Sequence, residues 1–565
     1  MFKNIKLRTK LLMAFLAVGV LPFAAIGTVS LIKASDALSN LAFDQLESMR
    51  EVKHNQVDNL LTGFHDHMSV LIETVGTLRR EAFEKLKSVE RIKKNQIEKY
   101  FIRAEKDIAV LAGSKDAHNL YKLLKQYQAD EEIEADAPFL IDSFEYEEIW
   151  SESGKTLKDY VTVYGYSDAF IISADHGHVM YAAAKNPDIG TNLINGPYKA
   201  EGLGLLWQKI VKTKKIQIQD FHPYAPAKGI PFAFIGAPIQ NLSGELLAVA
   251  VLQISLDAVN EIMKEREGLG KTGETYLVGQ DKLMRSDSFL DVKNHSVTAS
   301  FANPDKGKVD TKASREALAG KQGASVIVGY NGNPVLSSYA LLDIKGLQWS
   351  IIAEIDVAEA FSPVDENGKE FFAKYKEMYG YYDLFLMNPD GYCFYTVAKE
   401  ADYQTNLVDG KYADSNLGRL VQNVLKTKQY GMADFNPYAP SNNEPCGFVA
   451  QPVVHDGKVE LVVALQLSLD SINNIMQQRD GMGKTGETYL VGPDKLMRSD
   501  SFLDPANHSV KASFVNPSKG MVDTEAAKEA LAGKSGAKII IGYGCGSFAF
   551  FDITIPRLLF CSFVW

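Results

Sequence analysis

Two short segments that combine aspartate with tyrosine occur twice in the chain, and this combination suits recognition of a positively charged small molecule. YGYSD at 164–168 returns as YGYYD at 379–383, and DFHPYAP at 220–226 returns as DFNPYAP at 434–440. An aspartate carboxylate can bind the ammonium group of an amine or amino acid, and a tyrosine can hold the same group with its ring face or hydroxyl. The structural alternative for Asp220 is that it caps the turn before Pro223.

No catalytic motif accompanies these residues. The sequence contains no G-x-S-x-G, Walker or H-E-x-x-H motif, and GKTG at 270–273 lacks the upstream glycine of a phosphate-binding loop. His176 and His178 flank Gly177 at a turn, and without a nearby carboxylate pair a solvent-exposed turn explains them better than a metal site does. We therefore expect a binding protein that is not an enzyme and has neither a cofactor nor a metal.

Composition excludes several other classes of protein. The chain has 565 residues, 46% of them hydrophobic and 23% charged, with a net charge of −10. These values are typical of a globular protein of three or four domains, and the acidic balance argues against nucleic-acid binding. The four cysteines (Cys393, Cys446, Cys545 and Cys561) show no C-x-x-C spacing, so neither a disulfide framework nor a zinc site is indicated.

The first apolar segment is long enough to cross a membrane as a helix. Residues 11–32 form an uncharged apolar run, and about 20 such residues span a bilayer. Lys3, Lys6, Arg8 and Lys10 precede the run, which places the N-terminus in the cytoplasm and the bulk of the chain outside. The alternative is a cleaved signal peptide, but its apolar region is normally shorter and ends in a small-residue cleavage site. The pattern favours an uncleaved, single-pass anchor.

Duplication is the strongest internal signal. Residues 270–300 match residues 483–513 at 27 of 31 positions, with a shift of 213. TNL at 191–193 returns at 405–407, so whole modules are repeated. Nearer the N-terminus, residues 42–61 are echoed by residues 82–101, with apolar residues at three- and four-residue steps. This spacing predicts long amphipathic helices between 33 and 137, which pack on their own domain or pair in a homodimer.

The remaining segments alternate between strand and turn patterns. Residues 169–184, 384–398 and 274–287 each predict a hairpin, and residues 248–263 pass from a strand into a helix, as residues 462–476 do again. The sequence therefore predicts an α+β fold with mainly antiparallel sheets.

Together these features resemble the double Cache sensory domain of methyl-accepting chemotaxis proteins. The resemblance rests on LQISLDAVNEIM at 252–263, GKTGETYLVG with LMRSD at 270–287, and GYNGNPVLSSYALLDIKGLQWSIIAEID at 329–356. It covers about residues 140–360 as a full unit and begins again near Phe361. It implies a bacterial inner-membrane receptor whose PAS-like modules, one distal and one proximal to the membrane, lie in the periplasm.

In this family small organic ligands bind the distal module, between its sheet and the loops above it. The resemblance therefore implies one set of ligand-binding residues in each copy. The first set is Tyr166, Asp168, Tyr181, Asp220 and Tyr224, and the second is Tyr381, Asp383, Tyr395, Asp434 and Tyr438. The arginine and tryptophan pattern of amino-acid-sensing members is not evident, so an amino acid, an amine and a carboxylate all remain candidate ligands.

The resemblance also sets the expected domain boundaries. These are 1–10 for a cytoplasmic N-terminus, 11–32 for the transmembrane helix, 33–138 for a helical stalk, 139–265 and 266–360 for the distal and proximal modules of the first Cache unit, and 361–478 and 479–565 for those of the second. After Tyr543 the second copy no longer follows the first. The expectation is a truncated or frameshifted gene, with a native short variant as the alternative.

The functional expectation is the sensory region of a chemoreceptor. No linker helix pair of the HAMP type and no signalling coiled coil follows within the 565 residues. Two alternatives therefore stay open. The first is the sensor fragment of a histidine kinase or of a cyclic-nucleotide enzyme, and the second is a membrane-tethered binding protein.

Overall fold

The structure is a computed structural model that describes residues 6–538, 540, 549–551 and 562–564. The chain divides into two compact units. The first unit is Gly76–Glu370, and the second combines Met1–Val75 with Phe371–Trp565. Each unit carries one copy of the duplicated segments.

Helix α1 (Leu7–Gly113) contributes residues to both units. It contains an apolar window with mean hydropathy 2.2, none of which is buried against protein. Farther along, its buried side chains recur every three or four residues, as the amphipathic pattern predicts. In the second unit these are Val57, Leu61, Phe64, Met68, Leu71 and Val75, and in the first unit Ile97, Phe101, Ala104, Ile108 and Leu111. The helix ends at Gly113, where the Ser114 side chain caps the next helix by accepting from Ala117 N.

The first half of the first unit is a five-stranded sheet with helices around it, here called the distal module. Its elements are α2 (Lys115–Asp130), α3 (Phe144–Glu148), α4 (Lys155–Thr162), β1 (Asp168–Ser173), β2 (Val179–Ala182), α5 (Gly202–Thr213), β3 (Gln217–Tyr224), β4 (Ile230–Gln240), β5 (Leu246–Ile254) and α6 (Leu256–Lys264), with a π-helical segment at Ile149–Ser153 and a 3-10 turn at Ala225–Ala227. The strand order is β2-β1-β5-β4-β3, and every neighbouring pair is antiparallel.

The second half of the first unit, here called the proximal module, holds a four-stranded antiparallel sheet. Its elements are β6 (Glu274–Gly279), α7 (Val292–His295), α8 (Val297–Ala302), α9 (Pro304–Gly307), α10 (Lys312–Leu318), β7 (Gly323–Val328), β8 (Pro334–Leu341), β9 (Trp349–Asp356) and α11 (Val357–Phe361). The strand order is β6-β9-β8-β7.

The second unit repeats both sheets. Its elements are α12 (Phe371–Tyr379), β10 (Asp383–Met387), β11 (Cys393–Thr396), α13 (Asn416–Thr427), β12 (Gly431–Tyr438), β13 (Glu444–His455), β14 (Lys458–Leu467), α14 (Leu469–Met476), β15 (Glu487–Tyr489), α15 (Pro505–His508), α16 (Val510–Val515), α17 (Pro517–Gly520), α18 (Glu525–Leu531), β16 (Gly536–Lys538), β17 (Ala549–Phe551) and β18 (Ser562–Val564), with a 3-10 turn at Ala439–Ser441. The strand orders are β11-β10-β14-β13-β12 and β15-β18-β17-β16.

The predicted α+β class and the hairpins β1–β2 and β10–β11 are confirmed. The hairpin predicted within residues 274–287 is confirmed as a short one, because Gly279 N donates to Leu283 O and Arg285 N donates to Leu277 O, while the other edge of β6 pairs with β9. Its return segment makes one bridge, Val278 with Met284, and Ser286 Oγ accepts from Leu277 N where a strand would have supplied a backbone carbonyl. Of the divergent segment predicted after Tyr543, the structure describes only 549–551 and 562–564, whereas Cys545, Cys561 and Lys3 lie outside the described residues.

Candidate ligand site in the distal module

The register of the distal sheet brings a carboxylate and an amide together inside the module. Asp168 on β1 lies directly opposite Gln253 on β5, and both side chains are buried. Asp168 Oδ1 accepts from the backbone N–H groups of Ala169 (2.7 Å) and Ala184 (3.0 Å). Burial raises the pKa of Asp168 to about 7, and the neighbouring Asp188 carboxylate acts in the same direction.

Asp188 lies in the segment between β2 and α5, and it is fully buried. Its Oδ2 accepts from the hydroxyl of Tyr224, at the end of β3, at 2.5 Å. Its Oδ1 is buried and forms no hydrogen bond of normal geometry with a described residue, although the backbone N–H groups of Asp188 and Ile189 lie near enough to act on the carboxyl. Burial raises the pKa of Asp188 and also that of Tyr224. The Asp188 carboxyl is therefore held in place by one oxygen while the other is free to accept.

The Gln253 side chain also has a buried oxygen that lacks a donor among the described residues. Its side chain is 1% exposed, and its Oε1 is buried without a donor. Nearly all buried polar atoms in proteins have a partner, so each exception calls for an explanation. We call this set of side chains the distal acid cluster; it consists of Asp168, Asp188, Tyr224 and Gln253. The cluster combines two buried carboxyls with two acceptor oxygens that lack a donor among the described residues.

An aromatic layer covers β2 next to this cluster. The hydroxyls of Tyr146 and Tyr181 donate to Met180 O and Gly154 O, both at 2.9 Å. Trp150 Nε1 donates to Ala182 O at 3.0 Å, and the Trp150 ring stacks on Tyr181 with 6.3 Å between centroids. The π-helical segment that contains Trp150 is thereby fastened to the strand. The predicted ligand residue Tyr181 lies in this layer with its hydroxyl already occupied.

The Trp150 ring also carries two ammonium groups. Lys158 Nζ lies 3.4 Å and Lys185 Nζ 3.8 Å from the ring centroid. Burial, followed by the charge of Lys185, lowers the pKa of Lys158. The layer therefore already binds cations by its ring face, which is the interaction that a cationic ligand would use.

Two of the predicted ligand residues serve other contacts. Tyr166 donates its hydroxyl to Asp107 on α1 at 2.8 Å. Asp220 accepts from Arg285 Nε and Nη2, both at 2.9 Å, and from Trp349 Nε1 at 2.9 Å. Tyr166 thus links β1 to α1, and Asp220 links the distal module to the proximal one. That either side chain also contacts a ligand stays a prediction.

The second unit contains a matching cluster. Asp402 Oδ2 accepts from the Tyr438 hydroxyl at 2.6 Å, and both Asp402 Oδ1 and Gln466 Oε1 are buried without a hydrogen-bond partner among the residues described. Asp383 accepts from the backbone N–H groups of Leu384, Val397 and Ala398 and from Thr396 Oγ1. Burial raises the pKa of Asp383 to about 6, with the Asp402 charge acting in the same direction. In contrast to Gln253, Gln466 donates through Nε2 to Ser441 Oγ and Cys446 Sγ.

The other predicted residues of the second unit lie apart from Asp402. The Tyr381 hydroxyl pairs with His67 Nδ1 on α1 at 3.0 Å, and the buried Tyr395 ring packs 5.5 Å from that of Phe372. Asp434 forms an ion pair with Arg498 that matches the pair between Asp220 and Arg285.

The sequence prediction missed Asp188, Asp402 and the two glutamines. A usable signal existed in the repeat. An aspartate stands three residues before TNL in both copies, and a glutamine stands in LQIS at 252–255 and in LQLS at 465–468. Neither sequence pattern shows that these side chains are buried without a hydrogen-bond partner, because their burial depends on which strands become neighbours in the sheet.

The described residues thus combine antiparallel sheets, a long N-terminal helix and a buried polar cluster. Residues 75–364, more than half of the chain, match the Cache domain family, and the chain therefore belongs to that family. No curated protein matches the chain by sequence.

Several solved sensory domains are similar to this chain. The ligand-binding domain of the Pseudomonas fluorescens chemoreceptor CtaA, in complex with L-isoleucine, is 13% identical with a TM-score of 0.33, covering 50% of this chain and 96% of that domain. The sensory domain of the Campylobacter jejuni chemoreceptor Tlp3 is 12% identical with a TM-score of 0.34, covering 51% and 98%. The sensor domain of the V. cholerae histidine kinase DctB is 11% identical with a TM-score of 0.33, covering 48% and 97%.

Proposed function

We propose that this chain is the ligand-sensing region of a bacterial transmembrane chemoreceptor, and that its first unit binds a small organic molecule with an ammonium group, an amine or an amino acid. The observation that carries the proposal is Asp188 Oδ1, a fully buried carboxylate oxygen that makes no hydrogen bond of normal geometry to any residue the structure describes. An ammonium group supplies both the missing hydrogen bond and the missing positive charge.

The electrostatics of the distal acid cluster favour a cation over an anion. Two buried carboxyls stand near each other, and burial raises the pKa of both. A cationic group would favour the ionised form of each and would be attracted strongly in a site with few water molecules. A ligand whose only charge is a carboxylate would add a third negative charge. Of the three candidate classes, amines and amino acids therefore fit and simple carboxylates do not.

The architecture supports a membrane receptor. The apolar window of α1 is long enough to cross a bilayer, and basic residues precede it in the sequence. We infer a single-pass inner-membrane protein whose sensory units lie in the periplasm. In this arrangement residues 139–265 and 266–360 form the distal and proximal modules of one Cache unit, and residues 361–478 and 479–565 form those of another.

A homodimer through α1 is part of the proposal. Leu41, Val52 and Val70 are more than half exposed on the helix surface. They follow one another at steps of 11 and 18 residues, which correspond to about three and five full turns of an α-helix. The three side chains therefore project from the same side of α1, and a second copy of α1 could cover them.

The proposed ligand site is tested on the full chain, in detergent if α1 requires it. Thermal unfolding is measured against a panel of amines, amino acids and carboxylates, and each positive compound is then titrated by calorimetry. We expect at least one ammonium compound to raise the melting temperature. Asp188→Asn keeps the size of the side chain but lowers its charge, so we expect binding to weaken by at least 10-fold, about 1.4 kcal/mol.

The second unit offers the matched control. Asp402→Asn makes the same change beside Tyr438, and we expect ligand affinity to stay within about twofold of the unmodified chain if the first unit is the principal site. Equal loss in both variants would assign the ligand to both units. A panel without any ammonium compound that binds, or an Asp188→Asn chain that binds as tightly as the unmodified one, would contradict the proposal.

A further inference from the structure

The proximal module of the first unit contains a second set of buried polar groups. On its sheet, Glu354 of β9 lies directly opposite Glu274 of β6 on one side and opposite Ser337 of β8 on the other. Residues that face each other across antiparallel strands project from the same face of the sheet. The three side chains are at most 4% exposed. Two glutamates and a serine therefore meet inside the module, away from the distal acid cluster.

Glu274 is fully satisfied by its surroundings. Its Oε2 accepts from Ser288 Oγ at 2.8 Å and from the backbone N–H groups of Phe289 (2.9 Å) and Leu290 (3.3 Å), and its Oε1 accepts from the Tyr330 hydroxyl. Four donors thus fix this carboxyl and the segment that follows Asp287. Glu274 needs no further partner.

Only one of the two Glu354 carboxylate oxygens accepts a hydrogen bond from a described residue. Its Oε2 accepts from the Tyr276 hydroxyl at 2.8 Å, whereas its Oε1 is buried without a hydrogen bond. Ser337 Oγ lies near enough to act on the Glu354 carboxyl, yet it too makes no hydrogen bond of normal geometry. Asp356, two residues farther along the same strand, also has a buried oxygen, Oδ1, without a partner. Three oxygens on one face therefore make no hydrogen bond of normal geometry within the described part of the chain.

The charges around Glu354 are all of one sign. Burial raises its pKa to about 7, the Tyr276 and Ser337 hydroxyls oppose this, and the carboxyls of Glu274 and Asp356 add to it. Burial also raises the pKa of Asp356, and Glu359 and Glu274 act in the same direction. Oxygens without donors next to several carboxyls are a typical setting for a bound cation.

We propose that the proximal module of the first unit binds a small monovalent cation, an alkali ion or a primary ammonium, between Glu354 Oε1 and Ser337 Oγ. A divalent metal does not fit, because the described residues contain no group of three or more histidine, cysteine, aspartate or glutamate side chains positioned to hold one. One free carboxylate oxygen and one hydroxyl are sufficient for a single positive charge. This site is independent of the ligand proposed for the distal module.

The test compares cations at constant ionic strength. The melting temperature of the full chain is measured while choline chloride, whose quaternary ammonium group has no N–H donor, is replaced stepwise by sodium, potassium, ammonium or methylammonium chloride. We expect at least one cation to give a saturable rise of about 3 °C at pH 8. The rise in melting temperature should be smaller at pH 6, because protons then compete with the cation for the Glu354 carboxylate. The other titratable groups that face this space are Glu274, Tyr276, Tyr330 and Asp356. The alkali and ammonium arms show which kind of cation binds.

Four variants decide the outcome. Glu354→Gln should abolish the cation response, and Ser337→Ala, which removes a hydroxyl that makes no hydrogen bond, should weaken it. Ser338→Ala is the matched control, because the next hydroxyl along β8 instead donates to Glu90 at 3.3 Å, and its response should equal that of the unmodified chain. Asp188→Asn should also leave the response unchanged, which separates this site from the distal one.

Two results would overturn the proposal. An equal salt response in the unmodified chain, Glu354→Gln and Ser337→Ala would show a general effect of salt. A melting temperature that depends on pH through Glu354, but not on the identity of the cation, would show that the site holds only a proton. If Glu354→Gln does not fold, the comparison of Ser337→Ala with Ser338→Ala still decides.

Discussion

Asp220 and Arg285 form a two-point ion pair, with Nε to Oδ1 and Nη2 to Oδ2 both at 2.9 Å, that joins the distal to the proximal module of the first unit. The Arg285 side chain is only 4% exposed, and Asp281 also accepts from it at 3.0 Å. The pair recurs in the second unit as Asp434 and Arg498. A motion of one module relative to the other must therefore move or break a buried, bidentate contact.

Removal of Asp220 should destabilise the first unit. Asp220→Ala leaves a buried guanidinium with only Asp281 as its acidic partner, and breaking a buried pair in this way costs about 3 kcal/mol. Asp281→Ala is the control, because Asp281 is 43% exposed, and we expect a loss below about 1 kcal/mol. Urea unfolding measures both. Ligand affinity that falls in a folded Asp220→Ala chain would show that Asp220 contacts the ligand; an unchanged affinity would assign it to module linkage alone.

Asp168 should make the stability of the first unit depend on pH. Its pKa is about 7 in the folded chain against an ordinary value of 3.8. Because the folded value is the higher one, its contribution is fully present below about pH 4 and is lost as the pH rises to about 7. The loss is on the order of 4 kcal/mol.

Asp168→Asn tests this pH dependence, because an amide oxygen can still accept from Ala169 N and Ala184 N without ionising. The free energy of unfolding of the variant, minus that of the unmodified chain, should increase between pH 4 and pH 7 and then level off. The measurement is urea unfolding at a series of pH values. Curves that stay parallel over the whole range would mean that Asp168 titrates normally in the folded chain.

The smallest segment that folds alone should begin within α1. Residues 137–361 contain both sheets of the first unit, but Phe101, Ile108, Leu111 and Leu120 belong to the core of the distal module. Residues 76–370 should therefore unfold in a single cooperative urea transition, whereas 137–361 should lack one, because its sheet has lost the helices that cover it. Circular dichroism during urea titration compares the two. A cooperative transition of 137–361 would show that α1 and α2 are dispensable.

The proposed pairing of two copies of α1 can be tested by cross-linking. Val52→Cys introduces a thiol on the side of α1 that carries Leu41 and Val70, whereas Cys393 and Cys446 are buried. In membranes, mild oxidation should convert Val52→Cys into a disulfide-linked dimer. Glu51→Cys, one residue away and therefore turned by about 100° around the helix, is the control and should cross-link several-fold less. Equal yields from both positions would indicate random collision.

Sequence patterns anticipated those features that depend on local periodicity. The three- and four-residue steps predicted α1, and alternation around a turn predicted the β1–β2 hairpin. The pairing of β6 with β9 was not predictable in this way, because about 70 residues separate the two strands and no local signal selects the partner. For the same reason the sequence identified Tyr224 but not Asp188, which reaches it from the segment after β2.

The hydroxyl of Tyr224 provides the most specific test of the distal acid cluster. It donates to Asp188 Oδ2, so Tyr224→Phe leaves both oxygens of a buried carboxyl without donors. Without ligand we expect the free energy of unfolding to fall by about 1 to 3 kcal/mol. An ammonium ligand donates several hydrogen bonds and can satisfy both oxygens, so the ligand-induced rise in melting temperature should be at least as large in Tyr224→Phe as in the unmodified chain.

Tyr438→Phe makes the same change beside Asp402 in the second unit. It should lower the stability of that unit by a similar amount and leave the ligand-induced rise unchanged, since the proposed ligand occupies the first unit. Thermal unfolding of both variants, with and without an ammonium compound that binds the unmodified chain, gives the comparison. If ligand binding is lost in Tyr224→Phe while the folded chain keeps its stability, the tyrosine hydroxyl itself contacts the ligand, and Asp188 acts by orienting that hydroxyl.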